Sequence, residues 1–160
     1  MATYTEQLQH IWRQYKEAGM PMPATARQVA GWAIENRLWM PRPEDVVTRC
    51  ADDLARAWRE DYRTDKHGRR YRTKHAVRVT KSGVQLAFWA DIDTAPRHHM
   101  QRAFTQRRQQ IVGDCYQLSV DVDVYNGKHP DEPPIQMVLD FNYDVEEMKA
   151  LGTSGGGRRG

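Results

Sequence analysis

The chain has 160 residues, 39% apolar and 28% charged, with a net charge of +3 at pH 7. That apolar share, with five Trp and seven Tyr, is enough for a folded core and argues against wholesale disorder. No run of about 18 apolar residues occurs, which speaks against a membrane-spanning helix, and Met1-Ala-Thr-Tyr-Thr-Glu-Gln7 lacks the basic and apolar stretches of a signal peptide.

Residues 3–19 predict a first helix, with Thr3 or Thr5 as cap, Leu8, Ile11, Trp12 and Tyr15 at helical spacing, and Gly19 as its stop. Met20-Pro-Met-Pro23 reads as an extended connector, because a residue before proline is pushed out of the α region. Thr25 then caps a second helix, with Val29, Trp32, Ala33 and Ile34 on one face, reaching Leu38 or Trp39. Pro43 suits the first turn of a third helix, with Glu44 and Asp45 at its positive end. This helix runs to about Glu60, and Val46, Val47, Cys50, Ala51, Leu54, Ala55 and Trp58 are expected to point inward. Cys50 and the chain's other cysteine, Cys115, sit in apolar stripes and read as buried free thiols, which fits a cytoplasmic setting.

Charge then concentrates sharply. Arg59–Lys81 holds nine Lys/Arg against three acids, a net of +6, so the rest of the chain sums to −3. Tyr62 and Tyr71 flank Asp65-Lys66-His67-Gly68, a turn with glycine where positive φ is needed. The stretch predicts a basic two-stranded ribbon. Its candidate nucleic-acid contacts are Arg59, Arg63, Lys66, His67, Arg69, Arg70, Arg72, Lys74 and Arg78. The competing reading is a solvated charged hairpin.

Three short helices followed by a basic hairpin resemble a winged helix-turn-helix DNA-binding domain over residues 3–80. The resemblance lies in the order of the elements. It implies a third helix directed at the major groove and a wing at Tyr62–Lys74 against the phosphate backbone or minor groove. Asp45, Asp52 and Asp53 stand beside Arg49, Arg56 and Arg59 on the polar face of the third helix, and carboxylates repel phosphates. The wing is therefore expected to carry most of any affinity.

Beyond the wing, Ala76–Thr80 and Val84–Trp89 flank Lys81-Ser-Gly83 and predict a second hairpin. Thr94-Ala95-Pro96 reads as the cap and first turn of a long helix reaching Tyr125, with Asn126-Gly127 as its stop. Along it Ile111, Cys115, Leu118, Val122 and Tyr125 step by 4, 3, 4 and 3, a heptad seam that Met100 and Phe104 extend. Packing on its own domain is one use of the seam (Phe104, Ile111, Cys115, Leu118, Val122, Tyr125). Pairing with a second copy to make a homodimer is the other. Residues 110–150 carry two basic residues and nine acids, a net of −7, so this end offers a surface for a different partner. Ile135–Phe141 reads as a strand or an extended peptide, followed by an acidic extended segment (Asp144, Glu146, Glu147) and a disordered Gly-rich tail over 151–160. Gln136-Met-Val-Leu-Asp-Phe141 resembles the Gln-x-x-Leu-x-Phe peptides that bacterial DNA-handling proteins insert into the sliding clamp, and Val84–Met148 resembles bacterial or prophage-type proteins of no assigned activity. The division expected is 1–80 as a winged-helix domain, 81–150 as hairpin, long helix and acidic segment, and 151–160 as tail, an α+β chain.

Little in the sequence points to catalysis. Asp91, Asp93, His98 and His99 are the nearest approach to a metal set, yet adjacent histidines on a helix point about 100° apart, and no zinc-ribbon or H-E-x-x-H spacing occurs. Phosphate-binding glycine loops and nucleophile elbows are absent from the sequence. No cofactor is expected. The reading is a non-enzymatic protein that binds double-stranded DNA, a dimeric regulator or mobile-element accessory factor of prokaryotic type. The alternative is a protein–protein adaptor that uses the same scaffold and docks through Gln136–Phe141 and the acidic segment.

Overall fold

The computed structural model describes residues 1–154, so most of the Gly-rich tail expected at 151–160 lies outside the described residues. Two compact units divide inside the third helix, 1–52 and 53–160, whereas the sequence reading put the division at 80. Helices α1 (Tyr4–Glu17), α2 (Ala26–Glu35) and α3 (Asp45–Arg59) come first. Four strands follow, β1 (Tyr62–Thr64), β2 (Arg70–Arg72), β3 (Lys74–Lys81) and β4 (Val84–Asp91), then α4 (Arg97–Lys128) and α5 (Asn142–Ser154). The class is α+β, with two small antiparallel hairpins.

In the first unit, Thr3 and Glu6 close a capping box on α1, and Thr25 and Gln28 close a second on α2. Each box satisfies amides that a helix start leaves without partners. Tyr15 is buried at 3% exposure, and its ring meets Trp32 edge-on at 5.4 Å while its hydroxyl donates to the Pro21 carbonyl at 3.0 Å. Ile11 and Ala33 complete this small core. α1 ends at Glu17, and beyond its Ala18 cap Gly19 takes a φ of +70° that lets the Met20 N–H reach back to the Tyr15 carbonyl. The same wrap ends α2 at Glu35 rather than at Leu38 or Trp39, because Arg37 turns left-handed (φ +57°) and the Leu38 N–H bonds the Ala33 carbonyl at 2.8 Å.

α3 departs from expectation. None of its residues is buried, and Val46, Val47 and Leu54 are 69%, 77% and 44% exposed. Its apolar stripe has the right period, but among the described residues its one ring–ring contact is Trp58 with Trp89 at 5.4 Å. Cys50 is likewise exposed and Cys115 half-buried, so the thiols are not the enclosed pair the stripes implied.

The second unit is built on its hairpins. β1 and β2 pair with Thr64 opposite Arg70, across a loop in which Gly68 takes φ +79°. The loop is knotted by Asp65: one carboxylate oxygen accepts from the His67 and Arg69 N–H groups at 2.9 Å each, an Asx-type turn. β3 and β4 pair along their whole length, from Lys74 opposite Asp91 to Lys81 opposite Val84. Ser82 and Gly83 take φ +52° and +76°, the two-residue turn whose twist matches that of the strands. Thr73 is fully buried and joins the hairpins: its N–H donates to the Asp61 carbonyl at 2.9 Å, and its carbonyl accepts from the Ile92 N–H at 2.7 Å.

α4 lies along β3. His75 and Val77 are buried at alternate positions of the strand, and Ala103 is the buried residue of the helix, small enough to bring the two backbones close. The Gln106 side-chain amide closes the open edge of β3, accepting from the Arg78 N–H at 2.7 Å and donating to the Arg78 carbonyl at 2.9 Å. An edge left bare would invite another strand. Pro96, not Thr94, occupies the cap position, and the helix runs 32 residues, about 48 Å at 1.5 Å per residue.

Past its middle, α4 leaves the sheet. Asn126 pairs through its amide with both the N–H and the carbonyl of Ile135, each at 2.9 Å, and Ile135–Phe141 then lies outside any helix or strand ladder. The segment expected to stay extended and acidic folds instead as α5. Asp140 turns its carboxylate onto the Asn142 N–H at 3.2 Å, and Asp144 sits in the first turn, where a helix favours negative charge.

Candidate nucleic-acid interface

The basic ribbon forms where the sequence placed it, but its cations are not equally free. Arg63 is committed within the unit, with Nη1 donating to Asp93 at 2.8 Å and Nη2 to Asp91 at 3.4 Å. Arg69 Nε donates to Asp65 at 2.7 Å, and Lys74 donates to Asp61. Such surface pairs contribute little to stability, yet they spend charge that the ribbon would otherwise present. The Lys74 ammonium holds the Asp61 carboxyl below its ordinary pKa, and the N–H of Arg69 does the same first for Asp65. Three of the nine predicted contacts are thus partly neutralised.

The rest point two ways. Lys66 and His67 are exposed at the tip of the loop. Arg70 sits over the Tyr62 ring at 4.3 Å and Arg59 over the Trp89 ring at 5.6 Å, each a cation against an aromatic face. Arg72 Nε reaches the Tyr62 hydroxyl at 3.4 Å. Arg78 is steered by α4: with the Gln110 amide oxygen turned toward it, Nη2 donates at 2.8 Å. None of these cations has a carboxylate partner among the described residues.

A groove of about 610 Å³ opens between the β3–β4 sheet and α4. Arg59, Arg72, Lys74, Arg78 and Arg107 line it, with Trp89 as an aromatic wall and Asp114 as the one acid. Arg107 comes from α4 and was absent from the sequence-derived set. Loss of hydration, then the neighbouring charge of Arg72, presses its guanidinium below its ordinary pKa. His75, between the two, is also pushed down, first by burial and then by Arg107, Arg72 and His99. Guanidiniums crowded in this way raise the positive potential of the groove. Arg107 was legible in one respect, since it stands four residues after Ala103 and so shares its helical face.

The metal set dissolves. Asp91 and Asp93 are taken by Arg63, and His99 bonds the His75 carbonyl at 2.9 Å. Among the described residues no three His, Cys, Asp or Glu stand together so as to hold a metal ion. None of the described helices is long and apolar enough to cross a membrane. Of the seam, Ile111, Leu118 and Tyr125 are 51%, 41% and 46% exposed, and Cys115 and Val122 are half-buried. Phe104 is 49% exposed and its ring meets His75 at 5.4 Å, while Tyr125 stacks on His129 at 4.3 Å. Comparison with known proteins brings no matching family model, no matching curated protein and no matching solved structure.

Proposed function

We propose that the chain is a non-enzymatic DNA-binding protein that grips the duplex backbone with the β1–β2 ribbon and the groove beside it. The observation that carries this reading is the groove, where five cations from α3, both hairpins and α4 converge against a single acid. Phosphate contacts of this kind set affinity and register without reading bases. The element order fits a winged-helix head whose wing is β1–β2. Sequence preference then comes from the shape of the duplex more than from α3, whose Asp52 and Asp53 repel phosphates.

The exposed seam of α4 fits a homodimer, the arrangement in which two heads address two half-sites. A dimeric regulator or mobile-element accessory factor is the biological role that suits these parts. Fluorescence anisotropy on labelled duplex tests the reading: binding weakens steeply with salt and fails when Arg72 and Arg78 are both changed to Glu. Binding that ignores salt and both substitutions would sink it.

One observation favours a second reading as an adaptor. Met137 and Val138, within the Gln136–Phe141 segment that joins no helix or strand, are 54% and 80% exposed, a peptide open to capture by a protein groove. A pull-down with a bacterial sliding clamp that is lost on Gln136→Ala supports it, and no capture by the clamp removes it.

A further inference from the structure

The first hairpin and α4 also border a smaller, open hollow of about 390 Å³, distinct from the groove in most of its lining. Arg70, Arg72 and Arg107 reach its wall together with the rings of Tyr62, Tyr71 and Phe104. No carboxylate is among its lining residues. The nearby acids are occupied elsewhere, Asp61 by Lys74, Asp65 by Arg69, and Asp91 and Asp93 by Arg63. Arg107 has no hydrogen bond or ion pair among the described residues. Three guanidiniums around a hollow with no carboxylate in its lining make a setting suited to an anionic ligand.

Size and chemistry narrow that ligand. At about 30 Å³ per water the cavity has room for about a dozen waters, more than one phosphate group needs. It also lies within the range of about 300–1,000 Å³ typical of small-molecule sites. Guanidinium forks bind phosphate oxygens two at a time, and aromatic rings accept a base on either face. We propose that this cavity binds the terminal phosphate monoester of a nucleotide, with the phosphate on Arg72 and Arg107 and the base against Tyr71 and Phe104. The choice of a nucleotide over other phosphate esters rests on the nucleic-acid reading above. The cavity itself does not.

The test uses the full chain and anisotropy on a short single-stranded oligonucleotide carrying a terminal phosphate, against the same strand ending in hydroxyls. The phosphorylated strand should bind about ten- to a hundredfold tighter, the range for hydrogen bonds to a charged group, and Arg107→Gln should erase the difference. Equal binding of the two strands by the wild-type chain overturns the proposal with no variant involved, as does a preference that survives in a folded Arg107→Gln chain. A nucleoside monophosphate added as competitor separates the sources. Displacement of the strand assigns the site to free nucleotides as well, and failure to displace it restricts the site to strand ends. Inorganic phosphate competing as well as the nucleotide would remove the role of the rings and with it the nucleotide. Covalently closed circular duplex, which has no ends, isolates the groove. Binding to the circle without end preference sinks this site and spares the duplex reading, and end preference without binding to the circle does the reverse.

Discussion

The groove makes a quantitative claim about salt, and the internal ion pairs make it specific. Each phosphate neutralised by a protein cation releases counterions and lowers the slope of log K against log salt by about 0.9. Arg59, Arg70, Arg72, Arg78 and Arg107 are the cations near the groove without a carboxylate partner among the described residues. Four or five such contacts give a slope near −4, so affinity for duplex should fall about 250-fold between 50 and 200 mM salt. Arg72→Gln should reduce the slope by about 1. Arg63→Gln should change it much less, because that guanidinium already bonds Asp93 at 2.8 Å and Asp91 at 3.4 Å. Equilibrium anisotropy on a duplex of arbitrary sequence, repeated at five or so salt concentrations for the three proteins, measures this directly. A flat slope for the wild-type chain would refute charge-driven binding. Equal losses for Arg63→Gln and Arg72→Gln would refute the sorting of cations by their internal partners, even if binding itself survived.

Two further outcomes are expected. Light scattering should find the wild-type chain as a dimer and Leu118→Glu as a monomer of unchanged helicity, since Leu118 is 41% exposed at the centre of the α4 seam and a charge there faces its copy across the pair; a wild-type monomer, or a dimer indifferent to the substitution, counts against the seam. His75 is held below its unfolded value of 6.5 by burial and by the charges of Arg107, Arg72 and His99, so the unfolded chain takes up its proton first. Stability is therefore full above pH 6.5 and falls as pH drops below it. His75→Phe should flatten the pH dependence of the melting temperature on the acid side, and an unchanged profile would mean that His75 is not the group responsible.

What the sequence made legible divides along physical lines. The capped starts of α1 and α2, the glycine at the end of α1 and the two hairpin turns were all read correctly, because each depends on a few adjacent residues whose side chains bond their own backbone. The ribbon was equally visible, since a run of +6 needs no partner to be recognised. The inward-facing stripe of α3 was not borne out: its period is helical, but a period names a face and not the surface that covers it. α5 was missed because Asp144, Glu146 and Glu147 read as solvated charge, although negative charge at a helix start stabilises it. Arg107, which the sequence groups with Arg102 and Arg108 as a basic turn that could continue the ribbon's stripe, stayed outside the contact set for the opposite reason. It becomes part of a site only when α4 lies along β3, a contact between residues about 30 apart in the chain that no local pattern encodes.

The acids inside the ribbon decide which of its cations are left for the proposed contact with phosphate. Counting charges along Arg59–Lys81 treats every cation as available, and that count places the centre of attraction at the loop tip, near Lys66 and Arg69. The ion pairs move it. Asp65 holds Arg69 at the tip, Asp61 holds Lys74, and Asp91 with Asp93 holds Arg63 on the flank of the first hairpin. The cations left over, Arg70, Arg72 and Arg107, gather where the first hairpin faces α4, with Arg59 and Arg78 beside them in the groove. A wing that lies along a duplex by its tip would waste that arrangement. A ribbon proposed to hold phosphates between its root and its supporting helix uses it, and leaves the tip to Lys66 and His67.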